Sequence, residues 1–119
     1  MESTENSNDK INVRTSKAGN ETSNLLIQKG WFKEGYIVFR ASVAYALVNG
    51  LSPKEDVPTG GESWNVGTID KGGTVSAILA LHGYKTRPMA LAEGLAESAL
   101  EEIGKRVRKG ESLTQIFLN

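Results

Sequence analysis

The chain opens with a polar stretch and then alternates apolar and polar positions. Residues 1–10 hold no apolar residue after Met1, and Ser, Thr, Asn and Glu dominate them. Such a composition buries too little surface to offset the entropy of ordering, so we expect a disordered tail over residues 1–10. Residues 11–16 then carry β-branched side chains at every second position, which predicts a short, half-buried strand.

Helical periodicity dominates the rest of the chain. Apolar residues recur at three- to four-residue spacing in segments that glycine or asparagine ends. The predicted helices cover residues 17–30, 36–50, 74–82, 88–109 and 112–118. Residues 51–63 hold two prolines and two adjacent glycines, which predicts an exposed loop. We therefore expect a mostly α fold over residues 11–119, a single helical domain in which a short N-terminal strand precedes a compact helical bundle.

Several residues are candidates for the helix ends. Ser16 and Asn20 are alternative N-caps of the first helix, and Thr86 is a candidate N-cap of the longest one. That longest helix has Glu93 and Glu97 in its first half and basic residues at its end. This order of charges complements the helix dipole.

The order strand, helix, helix over residues 11–50 is that of a ribbon-helix-helix unit. In such a unit the strands of two chains pair, and the ribbon enters the DNA major groove. The polar face of this strand would present Asn12 and Arg14, whose side chains suit bidentate base contacts. The alternative is an ordinary edge strand with both side chains solvated, and the pattern alone favours it.

Composition limits the chemistry that the chain can perform. It has 119 residues, no cysteine and one histidine, His82. The length fits one domain, and the absence of cysteine excludes disulfides, thiolate nucleophiles and thiolate zinc sites. No nucleophile and base stand in a recognisable constellation, so we expect no enzyme activity, no cofactor and no metal. No apolar run is long enough for a membrane or a secretory signal, which predicts a cytoplasmic protein.

Three smaller features have a functional and a structural interpretation. The glycines of residues 71–74 could aim backbone amides at an anion, but the unspecific glycine pattern favours a flexible connector. His82 ends an apolar helix, where a capping or packing role is favoured over a functional one. Glu101 and Glu102 adjoin basic residues, which favours a solvated, salt-bridged face over a metal site.

Charge is balanced overall but uneven along the longest helix. Fourteen Lys and Arg residues face fourteen Asp and Glu residues, which excludes a uniformly basic surface. Residues 93–102 hold four acids and no base, whereas residues 105–109 hold four bases and no acid. This basic cluster is either a solvated, dipole-matched helix end or a local patch for phosphates.

The order of these features resembles a known family. The features are the INVRTS strand over residues 11–16 with its polar helix, Arg40 and Ala44 in the apolar second helix, the Trp-containing residues 63–67, and the long helix with Gly94-Leu95 that closes on residues 109–113. Over residues 11–118 they resemble the DndE family, small accessory proteins of bacterial DNA phosphorothioation systems. The resemblance implies a compact, helical protein with a ribbon-helix-helix-like start.

The family resemblance also implies a function. Family members associate into oligomers, bind duplex and nicked DNA, and work beside sulfur-transfer partner proteins without carrying the sulfur themselves. The missing cysteine agrees, because a persulfide carrier needs one. The zero net charge departs from the lysine-rich DNA binding of the family.

We therefore expect a non-catalytic, DNA-associated accessory protein of a DNA sulfur-modification or phage-defence system that scaffolds partner proteins. It would self-associate through the apolar faces of helices 36–50 and 89–107. The candidate phosphate contacts are Arg14, Lys17, Lys33, Arg40, Lys85, Arg87, Lys105, Arg106 and Lys109. Lys85 and Arg87 would extend the basic cluster only if the fold brings them close. The alternatives are a ribbon-helix-helix transcriptional regulator or antitoxin, and a purely protein-binding structural adaptor.

Overall fold

The elements that the sequence predicts are present in a computed structural model, which describes residues 9–118. In chain order they are β1 (Asn12–Ser16), α1 (Lys17–Gln28), α2 (Gly35–Val48), β2 (Gly60–Asn65), α3 (Val66–Ile69), a 3-10 turn (Lys71–Gly73), α4 (Thr74–Leu81), α5 (Pro88–Arg108) and α6 (Leu113–Phe117). The predicted fold class is confirmed: the chain is mostly α, and a short N-terminal strand precedes a helical bundle in ribbon-helix-helix order. Most of the predicted disordered tail, residues 1–8, lies outside the described residues.

Side chains from inside and outside the helices cap their first turns. Ser16 accepts the N–H of Gly19 at 2.9 Å, so Ser16 rather than Asn20 is the N-cap of α1. The prediction of Thr86 as N-cap of α5 is wrong. Arg87 occupies that position in a left-handed conformation, and the carboxylate of Asp9 accepts the first free amides of the helix. A cap supplied from the far end of the sequence leaves no local signal.

The two strands form an antiparallel sheet within one chain. Asn12 of β1 lies opposite Asn65 of β2, and Arg14 lies opposite Ser63. The prediction of a loop through residue 63 is therefore wrong over the start of β2. Its glycines allow close pairing of the strands, because a Cβ on Gly61 would overlap the backbone of β1.

The other edge of β1 is occupied by α5. A carboxylate oxygen of Glu93 accepts the backbone N–H of Arg14 at 2.9 Å, and Glu97 accepts the N–H and the hydroxyl of Ser16. Residues four apart on a helix rise by about 6 Å, which matches the spacing of about 6.7 Å between alternate residues of a strand. The edge that a ribbon-helix-helix dimer pairs with a second chain is thus hydrogen-bonded inside this one.

The core lies between α2 and α5. Phe39 and Val43 of α2 and Leu95, Ala99 and Ile103 of α5 are each at most 4% exposed. The apolar faces predicted to drive self-association therefore pack against each other within one chain. That part of the prediction is wrong, because two complementary apolar stripes on one short chain bury each other before a partner is needed.

Candidate nucleic-acid interface

The predicted phosphate contacts do not form one patch. Lys85 and Arg87 precede α5, whereas Lys105, Arg106 and Lys109 lie at its other end. A helix of 21 residues separates the two groups by about 30 Å. Lys85 and Arg87 therefore do not extend the basic cluster.

Arg14 points back into the molecule. Its Nη2 donates to the carbonyl of Val57 at 3.0 Å, and its Nε is buried without a hydrogen-bond partner. Asn12, the other side chain considered for base reading, is exposed. The strand therefore offers one of the two predicted polar side chains to solvent, while the other holds the loop before β2.

Arg40 connects α2 to the end of α3. Its guanidinium donates to the carbonyls of Thr68 at 2.6 Å and Ile69 at 3.1 Å, and its Cζ lies 5.1 Å from the centre of the Tyr36 ring. An arginine within an apolar helix is thus satisfied by backbone carbonyls rather than by an acid. The Arg40 guanidinium thus donates to carbonyls that have no intrahelical donor because they lie at the C-terminus of a helix.

Arg106 belongs to a hydrogen-bond network that fastens α6. It forms an ion pair with Glu111 at 2.7 Å and donates to Tyr45 and to the carbonyl of Gln115. Tyr45 in turn donates to Glu102. Burial, reinforced by the hydrogen bond to Glu102, raises the pKa of the Tyr45 phenol, and the contacts of Arg106 with Glu111 and Tyr45 raise the pKa of its guanidinium. The guanidinium of Arg106 is therefore occupied by three partners within the chain, Glu111, Tyr45 and the carbonyl of Gln115.

Three exposed cations lie close together in sequence at the C-terminal end of α5. Lys105, Arg108 and Lys109 are exposed, and within residues 9–118 none of the three is in an ion pair. We call these three residues the α5 cluster. Lys17 and Lys33, two further predicted contacts, are also exposed, and Lys17 is the first residue of α1.

A groove of about 360 Å³ borders the α5 cluster. Ala18 and Gly19 of α1 line it. Its charged lining residues are of both signs: Lys54, Lys105, Arg108, Asp56, Glu97 and Glu101. Because Lys54 donates to Glu101 at 2.8 Å, the pKa of Glu101 is lowered and that of Lys54 is raised.

The predicted contacts include neither Lys54 nor Arg108, although Arg108 is one of the four bases of the cluster over residues 105–109. Lys54 lies in a loop far from α5 in sequence, and its backbone N–H donates to the carbonyl of Gly94 at 3.0 Å. A glycine is needed there, since a Cβ would overlap the carbonyl of Lys54. Gly94 was visible in the sequence, but nothing local indicates which loop approaches it.

The remaining candidate features have structural partners. Asp70 accepts the amides of Val75 and Ser76 at the start of α4, so a carboxylate of the chain itself binds there. Gly72 and Gly73 take positive φ angles in the turn before it. His82 is the exposed C-cap of α4.

Residues 9–118 contain neither a metal-binding cluster nor a membrane-spanning helix. No group of three or more His, Asp or Glu side chains in that range could hold a metal ion, and no helix in it is long and apolar enough to cross a membrane. In comparisons with known proteins, no family model, curated protein or solved structure matches the chain.

Proposed function

We propose that this chain is a non-catalytic, DNA-associated accessory protein of a DNA sulfur-modification or phage-defence system in the cytoplasm. The observation that carries DNA association is the α5 cluster, in which three cations with no ion-pair partner among residues 9–118 share one helix end. The connection to sulfur modification comes from the resemblance to the DndE family. Oligomers and sulfur-transfer partner proteins are part of the same proposal.

The proposed contacts are with the DNA backbone rather than with bases. Lysine and arginine ends bind phosphates as point charges or forks and release counterions, which gives affinity without sequence information. Lys17 supports this assignment because the two residues that follow it line the groove beside the α5 cluster. Among the predicted phosphate contacts, Arg14, Arg40 and Arg106 are the least suited to bind DNA. Their guanidinium groups already donate to backbone carbonyls, Glu111 or Tyr45.

The test is fluorescence anisotropy with labelled duplex DNA, intact and nicked, over a range of salt concentrations. Three phosphate contacts give a slope of log K against log salt of about −3. Replacing Lys105, Arg108 and Lys109 together by glutamine should flatten the slope towards zero.

The control replaces Lys29, Lys71 and Lys85 by glutamine, which removes the same charge from exposed positions elsewhere. It should retain most of the slope. Equal losses in both triple variants would show that net charge, not the α5 cluster, drives binding. No binding of wild type at low salt would overturn DNA association altogether.

The ribbon-helix-helix regulator is less well supported. It requires β1 strands of two chains to pair, and Glu93 and Glu97 already accept the amides on that edge. The protein-binding adaptor is favoured by a different observation, an exposed apolar groove between α2 and α4.

A further inference from the structure

An apolar groove lies between α2 and α4. It has a volume of about 410 Å³, and Val43 and Leu47 of α2 and Val75 and Ile78 of α4 contribute to its walls. Arg40 and Lys71 also line it, and none of its lining residues is acidic. The groove therefore combines an apolar surface with positive charge.

The helix that forms one wall is unusually apolar for its exposure. Of α4, only Leu79 is buried, whereas Ile78 is 43% exposed and Leu81 is 87% exposed. A helix that is apolar on most sides is normally covered. Contiguous exposed apolar surface of this kind marks an interaction site.

Charge decides which partner fits the groove. A symmetric dimer presents the same surface from both copies, so Arg40 and Lys71 of one copy would face a surface that carries the same two cations and no acidic lining residue. Like charges brought together at an interface disfavour the wrong partner. A partner with an apolar stripe and acidic residues beside it would instead cover the apolar walls and pair with Lys71.

We propose that this groove docks an amphipathic, acidic helix of a different protein. Such a helix would insert apolar residues at positions i, i+3, i+4 and i+7, the usual anchors of helix-in-groove recognition. Its acidic residues lie next to Lys71, which is exposed, while Arg40 is held by α3 and keeps the end of the groove positive. The groove shares no lining residue with the one beside the α5 cluster, so this proposal does not depend on DNA binding.

The experiment uses two labelled synthetic peptides of about 18 residues with leucine at the four anchor positions. One carries glutamate beside the leucines and the other carries lysine. Fluorescence anisotropy with the full chain should show the glutamate peptide binding about tenfold more tightly at low salt. Lys71→Glu should reverse this preference, whereas Lys85→Glu, which changes the charge outside the groove, should not.

A second pair of variants tests the apolar wall. Ile78→Ser should weaken binding of the glutamate peptide, and Ile11→Ser, which alters an apolar side chain that is 76% exposed outside the groove, should leave it unchanged. Each variant is first shown to unfold at the wild-type denaturant concentration.

Three results would overturn the proposal. They are equal affinity for both peptides, absence of binding by either, and a dimer in sedimentation equilibrium that Ile78→Ser dissociates, which would identify a second copy as the occupant. The DNA affinity of Lys71→Glu and Ile78→Ser should stay close to that of wild type, whatever the peptides show. A failure of peptide docking can therefore be told apart from a failure of DNA association.

Discussion

Glu93 is the residue at which a single substitution most directly tests the packing of α5 on the sheet. Its side chain is 6% exposed, accepts the backbone N–H of Arg14 at 2.9 Å and lies 3.2 Å from Nζ of Lys10. Glu93→Ala removes the acceptor of a half-buried amide and the partner of Lys10 together. The amide then has no replacement, because its strand edge faces α5 rather than β2.

The expected loss of stability follows from these two contacts. An unsatisfied buried donor costs about 1–3 kcal/mol, and a hydrogen bond to a charged group lies in the upper part of that range. Lys10 is partly exposed and can turn to solvent, so its loss adds little. We expect Glu93→Ala to lower the free energy of unfolding by about 2–3 kcal/mol, a large share of the 5–15 kcal/mol that a domain has in total. Glu93→Gln keeps an acceptor and should lose about half as much.

Urea unfolding followed by circular dichroism measures the difference. The matched control is Glu101→Ala on the same helix, where the glutamate side chain is 53% exposed and its partner Lys54 is exposed as well, so no measurable loss is expected. If Glu93→Ala and Glu101→Ala unfold at the same urea concentration, the carboxylate is not what satisfies the strand edge. The double variant Glu93→Ala/Glu97→Ala should also self-associate in sedimentation velocity, because an open edge offers its amides to another strand.

Other contacts give further expectations. Gly94→Ala should destabilise by about 2 kcal/mol or more in thermal unfolding despite the higher helix propensity of alanine, because the overlapping atom is a backbone oxygen. Gly104→Ala meets Oγ1 of Thr22 at 2.6 Å, so Thr22→Ala should restore its stability, whereas no side-chain truncation should rescue Gly94→Ala. The raised pKa of Tyr45 means that the folded state holds the phenol proton more tightly, so this stabilisation is present below about pH 10 and is lost as the pH rises further. Urea midpoints from about pH 9 to pH 11 should therefore fall more steeply for wild type than for Tyr45→Phe, and parallel curves would refute this. Asp9→Ala should lower the unfolding temperature by several degrees, because two amides of α5 lose their acceptor.

Local signals predicted the elements of the fold well. The alternation over residues 11–16, the capping serine Ser16 and the glycine at position 30 all act within a few residues, and β1 and α1 form where these signals indicate. The short C-terminal helix likewise has its capping box in Ser112 and Gln115. Such features depend on backbone geometry that neighbouring residues determine by themselves.

The errors arose where residues distant in sequence meet. The start of β2 falls in the loop that the sequence predicts over residues 51–63, because its two glycines are typical of turns. In the structure Gly61 has no side chain where β1 approaches. Asp9 caps α5 from a position 80 residues earlier in the sequence. The backbone N–H of Lys54 donates to the carbonyl of Gly94, which positions the Lys54 loop along α5. Periodicity carries no information about which of several compatible partners a segment selects.

The predicted phosphate contacts and the structure differ most at the arginines. Arg14, Arg40 and Arg106 all turn their guanidinium groups toward carbonyl, phenol or carboxylate oxygens of the chain, whereas Lys105 and Lys109 remain in solvent. A guanidinium is planar, weakly hydrated and rich in donors, so it is suited to half-buried sites, while an ammonium is strongly hydrated and stays outside. These three arginines therefore connect elements of the fold to one another instead of facing solvent. The exposed side chains that remain free to contact DNA are mainly lysines, which bind phosphates as point charges. We therefore expect DNA binding that depends strongly on salt and little on base sequence.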